Sequence, residues 1–236
     1  MTPAIETLPL IDDELDFLAG LAPLAGREII ELGCGAAALA RSLLSRYPDS
    51  RVTGLEVDAR QHAKNIAAPH PALTFIAAGA EAIPFPAASF DLAMMLKSLH
   101  HVPLPLLDTA LAEVARVLKP GGLLYVSEPV FAGDFNEVVR LFNDEEVVRA
   151  EAQAALRRAE SLPQWQAAGE IPFETPRRFA DFDDFARKTI AVTFAERHLD
   201  EAMLAEVRRR FELHLSAEGA LFMQPMRVSL LRRTAV

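Results

Sequence analysis

Short apolar runs alternate with amphipathic segments over the first 130 residues. Residues 27–32 form an apolar run that ends at a glycine turn, which predicts a buried strand. Residues 105–118 carry apolar side chains at helical spacing, which predicts a helix. The same pattern predicts strands at 51–57, 73–77, 90–96 and 123–128 and helices at 36–47 and 58–66. Because parallel strands need crossover connections, this alternation predicts an α/β fold with a mostly parallel sheet.

The pattern changes after residue 130. It predicts a long charged helix over 134–161, a proline-rich loop over 162–178, a short helix over 181–188, a strand over 189–194, a helix over 200–215 and a last strand over 221–232. We predict that residues 131–180 are a helical insertion that forms a lid over a substrate pocket. Its expected apolar lining is Phe131, Phe135, Phe142 and Trp165. A dimer contact or simple packing are the alternatives for this segment.

Length and charge narrow the class of protein. The 236 residues suit one domain over 1–236, and the net charge of −9 disfavours a nucleic-acid partner. The acidic start of the chain is unlike a secretory signal, and no uncharged apolar run reaches the roughly 18–20 residues that a membrane span needs. The only cysteine, Cys34, excludes an internal disulfide. We therefore expect a cytoplasmic protein without a membrane partner, and the sequence is compatible with a homodimer.

Two features at the ends of predicted strands indicate a binding site for a nucleotide. Gly33 and Gly35 follow the first strand, where glycine lets the backbone turn sharply beside the start of a helix. Glu56 ends the second strand, 21 residues after Gly35, where a carboxylate can accept hydrogen bonds from ribose hydroxyls. With Ala38 the turn also fits the dinucleotide pattern G-x-G-x-x-G/A. These features alone do not separate an NAD(P) enzyme from an S-adenosylmethionine enzyme.

Four blocks in order carry a family resemblance. They are IIELGCG (29–35), AEAIPFPAASFDLAM (80–94), LHHVP (99–103) and EVARVLKPGGLLYVSEP (113–129). On these blocks the chain resembles the class I S-adenosylmethionine-dependent methyltransferases that act on small molecules. The resemblance implies a Rossmann-like three-layer sandwich with a seven-stranded sheet of order 3-2-1-4-5-7-6 and a helical insertion after strand 5. It also implies S-adenosyl-L-methionine as cofactor, S-adenosyl-L-homocysteine as product and a small-molecule acceptor that the sequence does not identify.

The resemblance assigns roles to single residues. Gly33 and Gly35 are expected against the methionine part of the cofactor, Glu31 near its ammonium group and Glu56 on its ribose. In the family an aspartate commonly precedes the A-E-A block and binds the adenine amino group, whereas this chain has Gly79 there. Adenine recognition would then fall to the backbone of Ala80 or to Glu81. The further positions expected at the cofactor are Cys34, Leu96 and Lys97.

Methyl transfer needs alignment of the reacting atoms and a general base only for a protonated acceptor. His100 and His101 follow the fourth strand and are the candidate catalytic residues, with structural packing as the alternative for each. Glu128 is a second candidate base or a cap, and Cys34 is expected to be structural. No metal site is expected.

Two other functions compete with a methyltransferase. One is an NAD(P)-dependent oxidoreductase, which the absence of a Y-x-x-x-K pair disfavours. The other is a catalytically silent protein that binds S-adenosylmethionine.

Overall fold

The fold, given by a computed structural model that describes residues 8–191 and 199–235, is a three-layer α/β sandwich. Its eight-stranded sheet has the order β3-β2-β1-β4-β5-β8-β6, and the two-residue β7 pairs with β8. The strands are β1 (Glu28–Leu32), β2 (Arg51–Leu55), β3 (Leu73–Ile76), β4 (Phe90–Leu96), β5 (Leu118–Pro129), β6 (Trp165–Phe179), β7 (Leu215–Ser216) and β8 (Gly219–Arg233). The helices are α1 (Glu14–Leu21), α2 (Ala38–Arg46), α3 (Ala59–Ala67), α4 (Leu107–Val117), α5 (Asp134–Val139), α6 (Glu146–Glu160), α7 (Phe182–Phe185) and α8 (Glu201–Glu212).

The topology confirms the order predicted for seven strands, with β8 as the strand that lies between β5 and β6. The short strand β7 is additional. β1 pairs in parallel with β2 and β4, β2 pairs in parallel with β3, and β4 pairs in parallel with β5. The carboxyl ends of these parallel strands therefore meet at one edge of the sheet, which is where open α/β sheets bind ligands.

Two compact units divide the chain. The larger unit comprises Asp13–Glu128, Glu146–Glu170 and Val228–Val236. The smaller unit comprises Met1–Asp12, Pro129–Glu145 and Ile171–Arg227. β6 and β8 each contribute residues to both units. The single domain over residues 1–236 stays a prediction.

The core of the larger unit lies between the sheet and α4 and α6. Ala152, Ala155, Leu156 and Ala159 recur at helical spacing on α6 and are buried in the same apolar cluster as residues of α4 and the central strands. This face explains why a charged sequence forms a stable helix here. α6 belongs to the segment predicted as a lid, and it contributes this face to the core of the larger unit.

The smaller unit has a core rich in aromatic rings. We call it the phenylalanine cluster, and its fully or nearly buried rings are Phe135, Phe179, Phe182, Phe185, Phe211 and Phe222. Neighbouring rings meet edge to face or tilted, except that Phe135 stacks on Phe179, and the centroids lie 5.0 to 6.4 Å apart. Such pairs add to the free energy gained from burial.

The structure corrects several predicted elements. Residues 165–179 form the strand β6 and not a loop, and residues 134–161 form two helices and not one. The prolines within β6 are tolerated because this strand ends the sheet, where an N–H group is not required on its outer side. Residues 186–190 form a π-helical turn, so the predicted strand over 189–194 is wrong at its start. Its residues 192–194 lie outside the described residues.

α1 was not predicted, although Asp13 caps its first turn by accepting a hydrogen bond from the Leu15 backbone N–H at 2.8 Å. None of the helices formed by the described residues has the length and hydropathy needed to span a membrane.

Candidate active site

The glycine turn after β1 is built from close contacts that only small residues allow. Gly33 and Gly35 have φ angles of +69° and +51°. A β-carbon on Gly33 would come within 2.7 Å of Ser98 Cβ, so Ser98 packs where a side chain at position 33 would lie. Cys34 fills a similar space against Gly54, whose β-carbon would meet Cys34 Sγ at 2.8 Å. The turn is therefore fixed by its neighbours on β2 and on the segment after β4.

Glu56 lies directly against this turn, as the sequence predicted. Its Oε2 accepts a hydrogen bond from the Gly35 backbone N–H at 2.8 Å, and its Oε1 accepts one from the Asp58 N–H at 2.8 Å. The residue is 8% exposed. Each carboxylate oxygen has a second lone pair, so Glu56 retains the capacity to accept ribose hydroxyls.

Asn65 stabilises the turn from α3, and the sequence analysis missed it. Its Nδ2 donates to the Gly35 carbonyl oxygen at 2.8 Å, and its Oδ1 accepts from Gln61 Nε2 at 2.9 Å. Asn65 is buried, whereas most of α3 is exposed. The available signal was the spacing of Gln61 and Asn65, which lie four residues apart and therefore on one face of the helix.

Glu31 is the most strongly perturbed carboxyl group of the site. It is 4% exposed, and its Oε2 has no hydrogen-bond partner among the described residues. Burial, together with the negative charges of Glu14 and Glu56, raises its pKa from 4.5 to about 8. A buried carboxyl oxygen without a partner is costly, and an ammonium group is the kind of ligand that would satisfy it.

Glu14 of α1 is a second residue that the sequence analysis missed. Its Oε2 lies 3.8 Å from Lys97 Nζ, and its Oε1 accepts a hydrogen bond from the Tyr125 hydroxyl at 3.4 Å. Lys97 follows the half-buried Leu96 at the end of β4 and has a φ angle of +55°. α1 thus brings a carboxylate to the carboxyl ends of β4 and β5.

The 79–81 loop offers a carboxylate at the point where this chain departs from the family pattern. The Glu81 carboxylate occupies the space that a β-carbon on Gly79 would need. Ala80 is buried in the core, which fixes the loop. Arg116 stabilises the following residues by donating to the Ile83 carbonyl at 2.9 Å. The absence of a side chain at position 79 therefore makes room for a carboxylate from position 81.

A histidine–carboxylate pair follows β4. Glu128 Oε2 contacts His100 Nδ1, and Glu128 Oε1 accepts hydrogen bonds from the backbone N–H groups of Ser98 at 3.1 Å and Leu99 at 2.9 Å. His100 is buried, whereas His101 is exposed with its ring centroid 4.0 Å from that of His100. Ser98 Oγ donates to the Leu32 carbonyl at 2.7 Å, which ties this segment to the glycine turn.

This arrangement suits proton transfer. A carboxylate on Nδ1 fixes the orientation of an imidazole ring and stabilises the imidazolium that forms when the ring takes a proton. Glu128 also caps the 3₁₀ turn Leu99–His101, so the capping role and the pairing role fall on the same side chain.

Cys34 has the surroundings of a structural thiol. It is buried, and burial together with the charges of Glu31 and Glu56 raises the pKa of its thiol to about 12. The thiol therefore stays protonated near neutral pH, whereas the thiolate is the nucleophilic form.

The four aromatic residues predicted to line a lid do not join one cluster. Phe135 and Phe142 belong to the phenylalanine cluster, and Trp165 belongs to the core of the larger unit. The Phe131 ring lies under the Arg140 guanidinium, with the ring centroid 4.9 Å from Arg140 Cζ. The lid itself stays a prediction.

Comparison with known proteins agrees with this geometry. A family model described as a methyltransferase domain matches residues 29–122. Over 136 residues the chain is 35% identical to the O-methyltransferase cnsE of Penicillium expansum, a match that covers 53% of this chain and 47% of that protein. Further relatives are named as O-methyltransferases or C-methyltransferases, and the chain spans about half of their length or less.

Solved structures share the fold over nearly the whole chain. The YcgJ protein of Bacillus subtilis has a TM-score of 0.65 at 16% identity, with 94% of this chain and 98% of that chain covered. The [4+2]-cyclase SpnF has a TM-score of 0.64 at 21% identity, with 99% of this chain and 89% of that chain covered. Residues 29–122 therefore match a methyltransferase domain, and the fold of the chain is the one that these solved structures share.

Proposed function

We propose that the protein transfers the methyl group of S-adenosylmethionine to a hydroxyl oxygen of a small-molecule acceptor. The observation that carries the proposal is the pair of the buried His100 and the half-buried Glu128, which lies at the carboxyl ends of β4 and β5 and is joined through Ser98 to the glycine turn. His100 would be the general base, and Glu128 would position it.

The residues around the glycine turn fit the cofactor. Glu31 has an unpartnered carboxyl oxygen for the ammonium group, Glu56 has remaining lone pairs for the ribose hydroxyls, and Glu81 offers a carboxylate to the adenine amino group. When bound, S-adenosylmethionine supplies a methyl group on a sulfonium, whose transfer leaves a neutral thioether.

A hydroxyl acceptor explains why a histidine–carboxylate pair is present. A hydroxyl is a weak nucleophile while it keeps its proton, so a base beside it accelerates attack on the methyl carbon. A carbon or thiolate nucleophile that arrives deprotonated would not need such a base. The name of cnsE, an O-methyltransferase, supports oxygen as the acceptor atom. The names of other relatives include C-methyltransferases, and the test therefore identifies the methylated atom.

The test combines a labelled-methyl screen with two matched variants. Purified protein is incubated with S-adenosylmethionine carrying an isotopic methyl group and with metabolite extracts, and the product is identified by mass spectrometry and NMR. With that acceptor, we expect His100→Asn to lower kcat by about 10²- to 10⁴-fold, the usual contribution of a general base, and to leave the Kd for S-adenosylhomocysteine within about twofold. Glu128→Gln should lower kcat less and should also leave this Kd unchanged.

Three results would contradict the proposal. One is a product methylated on carbon, nitrogen or sulfur. Another is a larger loss of kcat in His101→Asn than in His100→Asn, which would move the base to the exposed ring. The third is tighter binding of NADP than of S-adenosylhomocysteine, which would favour an oxidoreductase. Binding of S-adenosylhomocysteine without any labelled product would favour a catalytically silent protein.

A further inference from the structure

Arg177 lies on the face of β6 that carries two buried phenylalanines. Alternate residues of a strand share a face, so Arg177 lies on the same face as Phe173 and Phe179. Those two phenylalanines are 2% and 4% exposed, and the neighbouring Arg178 on the opposite face is exposed. A guanidinium is therefore held on the apolar side of this strand.

Among the residues that the structure describes, the Arg177 guanidinium has no anionic partner. It lies over the Phe135 ring, with its Cζ 5.3 Å from the ring centroid, and Phe135 stacks on Phe179 with centroids 5.9 Å apart. Across residues 8–191 and 199–235, no carboxylate lies within ion-pair distance of it and no acceptor takes its hydrogen bonds. Burial lowers the pKa of Arg177, and no opposing charge offsets this effect. Arg177 is half-buried, so a ligand can reach its guanidinium, and a partly desolvated cation without an anionic partner favours a ligand that supplies one.

Protection of the sheet edge is the alternative explanation. Inward-pointing charges on terminal strands can prevent association with other sheets, and β6 ends the sheet. However, this stretch of the edge is already covered by the chain. The Glu174 N–H donates to the Pro9 carbonyl at 2.9 Å, and the Ile11 N–H donates to the Glu174 carbonyl at 2.8 Å. A charge three residues further along is therefore not needed to guard an open edge here.

We propose that Arg177, which is held over the Phe135 ring, binds the carboxylate of an apolar small molecule. A planar guanidinium presents parallel N–H groups that match the two oxygens of a carboxylate. One positive charge is neutralised by a monoanion, whereas a dianionic phosphate would bring a second, uncompensated charge into apolar surroundings. The aromatic rings beside Arg177 favour an apolar body attached to that carboxylate. This site lies within the smaller unit and does not depend on the proposed methyl transfer.

The test uses benzoate as a probe and benzamide as its neutral isostere. Ligand-observed NMR or calorimetry at low ionic strength measures the Kd of each for the whole protein, with acetate and inorganic phosphate as further arms. We expect benzoate to bind more tightly than benzamide, acetate and phosphate. Arg177→Gln should weaken benzoate binding by roughly 10- to 100-fold, the range for losing a charge-assisted pair, whereas Arg177→Lys should weaken it less. The matched variant Arg178→Gln should bind benzoate like the wild type.

Thermal unfolding of the ligand-free variants separates binding from a structural role. If Arg177 serves a ligand, replacing it by glutamine removes a half-buried charge that has no anionic partner among the described residues, so the Tm of Arg177→Gln should equal or exceed that of the wild type. A clear loss of Tm in Arg177→Gln would assign the residue to the fold and overturn the proposal. Equal benzoate affinity of wild type and Arg177→Gln, preference for phosphate, or no binding of any of the four probes would overturn it as well. None of these outcomes involves the cofactor, so the methyltransferase proposal is tested separately.

Discussion

Glu31 combines burial with two neighbouring carboxylates, and this combination has a defined effect on stability. Its pKa is raised from 4.5 to about 8 in the folded protein. Between these values the folded state binds a proton that the unfolded state has lost. The contribution of Glu31 to the free energy of unfolding is therefore complete below about pH 4.5, and it decreases as the pH rises toward 8.

Replacing Glu31 by glutamine should remove this dependence. We expect Glu31→Gln to raise the free energy of unfolding of the ligand-free protein at pH 8 by about 1–3 kcal/mol, because a neutral amide costs less to bury than a carboxylate. The same variant should bind S-adenosylhomocysteine less tightly. Urea denaturation at pH 5, 6, 7 and 8 measures the first effect, and calorimetry measures the second.

The exposed Glu218 provides the matched control for this pair of measurements. Glu218→Gln should retain the wild-type dependence of stability on pH and the wild-type affinity. A Glu31→Gln variant that loses stability from pH 5 to pH 8 as steeply as the wild type would contradict the role assigned to Glu31.

The sequence located Glu56 because it stands at the end of a parallel strand, where topology alone brings side chains together, and it located Glu31 through the family resemblance. It did not locate Asn65 or Glu14. Each lies on a helix, and its contact depends on how that helix packs and on which rotamer its side chain adopts. Asn65 and Gly35 are 30 positions apart, and the sequence between them contains no local signal of the hydrogen bond that joins them.

At the scale of elements, the turn between β1 and α2 can be tested through two glycines with almost the same backbone. Gly33 and Gly26 have φ angles of +69° and +67°, but a β-carbon on Gly26 would meet no atom within 4 Å. Alanine at either position incurs the left-handed strain of about 1–2 kcal/mol. Only at Gly33 does the new β-carbon also collide with Ser98.

Gly33→Ala should therefore destabilise the protein by about 1–3 kcal/mol more than Gly26→Ala, the usual cost of an overpacked site. It should also weaken binding of S-adenosylhomocysteine, because the turn must shift. Thermal unfolding and calorimetry on both variants give the comparison. Equal destabilisation by the two substitutions would show that Ser98 can move away from the new β-carbon without a loss of stability. The contact between Gly33 and Ser98 would then not fix the turn.

The strands were predicted well except where glycine and proline interrupt the apolar pattern. β1 and β4 are mostly apolar and were recognised directly. β6 was assigned to a loop because Gly169, Pro172 and Pro176 interrupt its pattern, and such residues usually mark turns. Its position at the end of the sheet removes that conflict, but a strand's place in a sheet is a tertiary property.

At the scale of the whole molecule, β6 and β8 each contribute residues to both compact units, and the core of each unit can be probed at a different residue. The only tryptophan, Trp165, is buried in the core of the larger unit, and Phe211 is fully buried in the phenylalanine cluster. Because these strands contribute residues to both units, we expect unfolding to be a single cooperative transition.

Phe211→Ala should lower the free energy of unfolding by about 3–5 kcal/mol, the usual cost of removing a buried aromatic ring. Its denaturation midpoint should shift by the same amount whether it is followed by Trp165 fluorescence or by far-UV circular dichroism. A fluorescence midpoint that stays at the wild-type value while the dichroism midpoint falls would show that the smaller unit unfolds independently.

The packing of Cys34 beneath the glycine turn has a chemical consequence. Oxidants and alkylating reagents attack the thiolate, and a thiol with a pKa of about 12 that is buried against Gly54 presents almost none. Damage to this sulfur would require the turn to open first. The contacts that shape the glycine turn therefore also protect the only cysteine of the chain from oxidation.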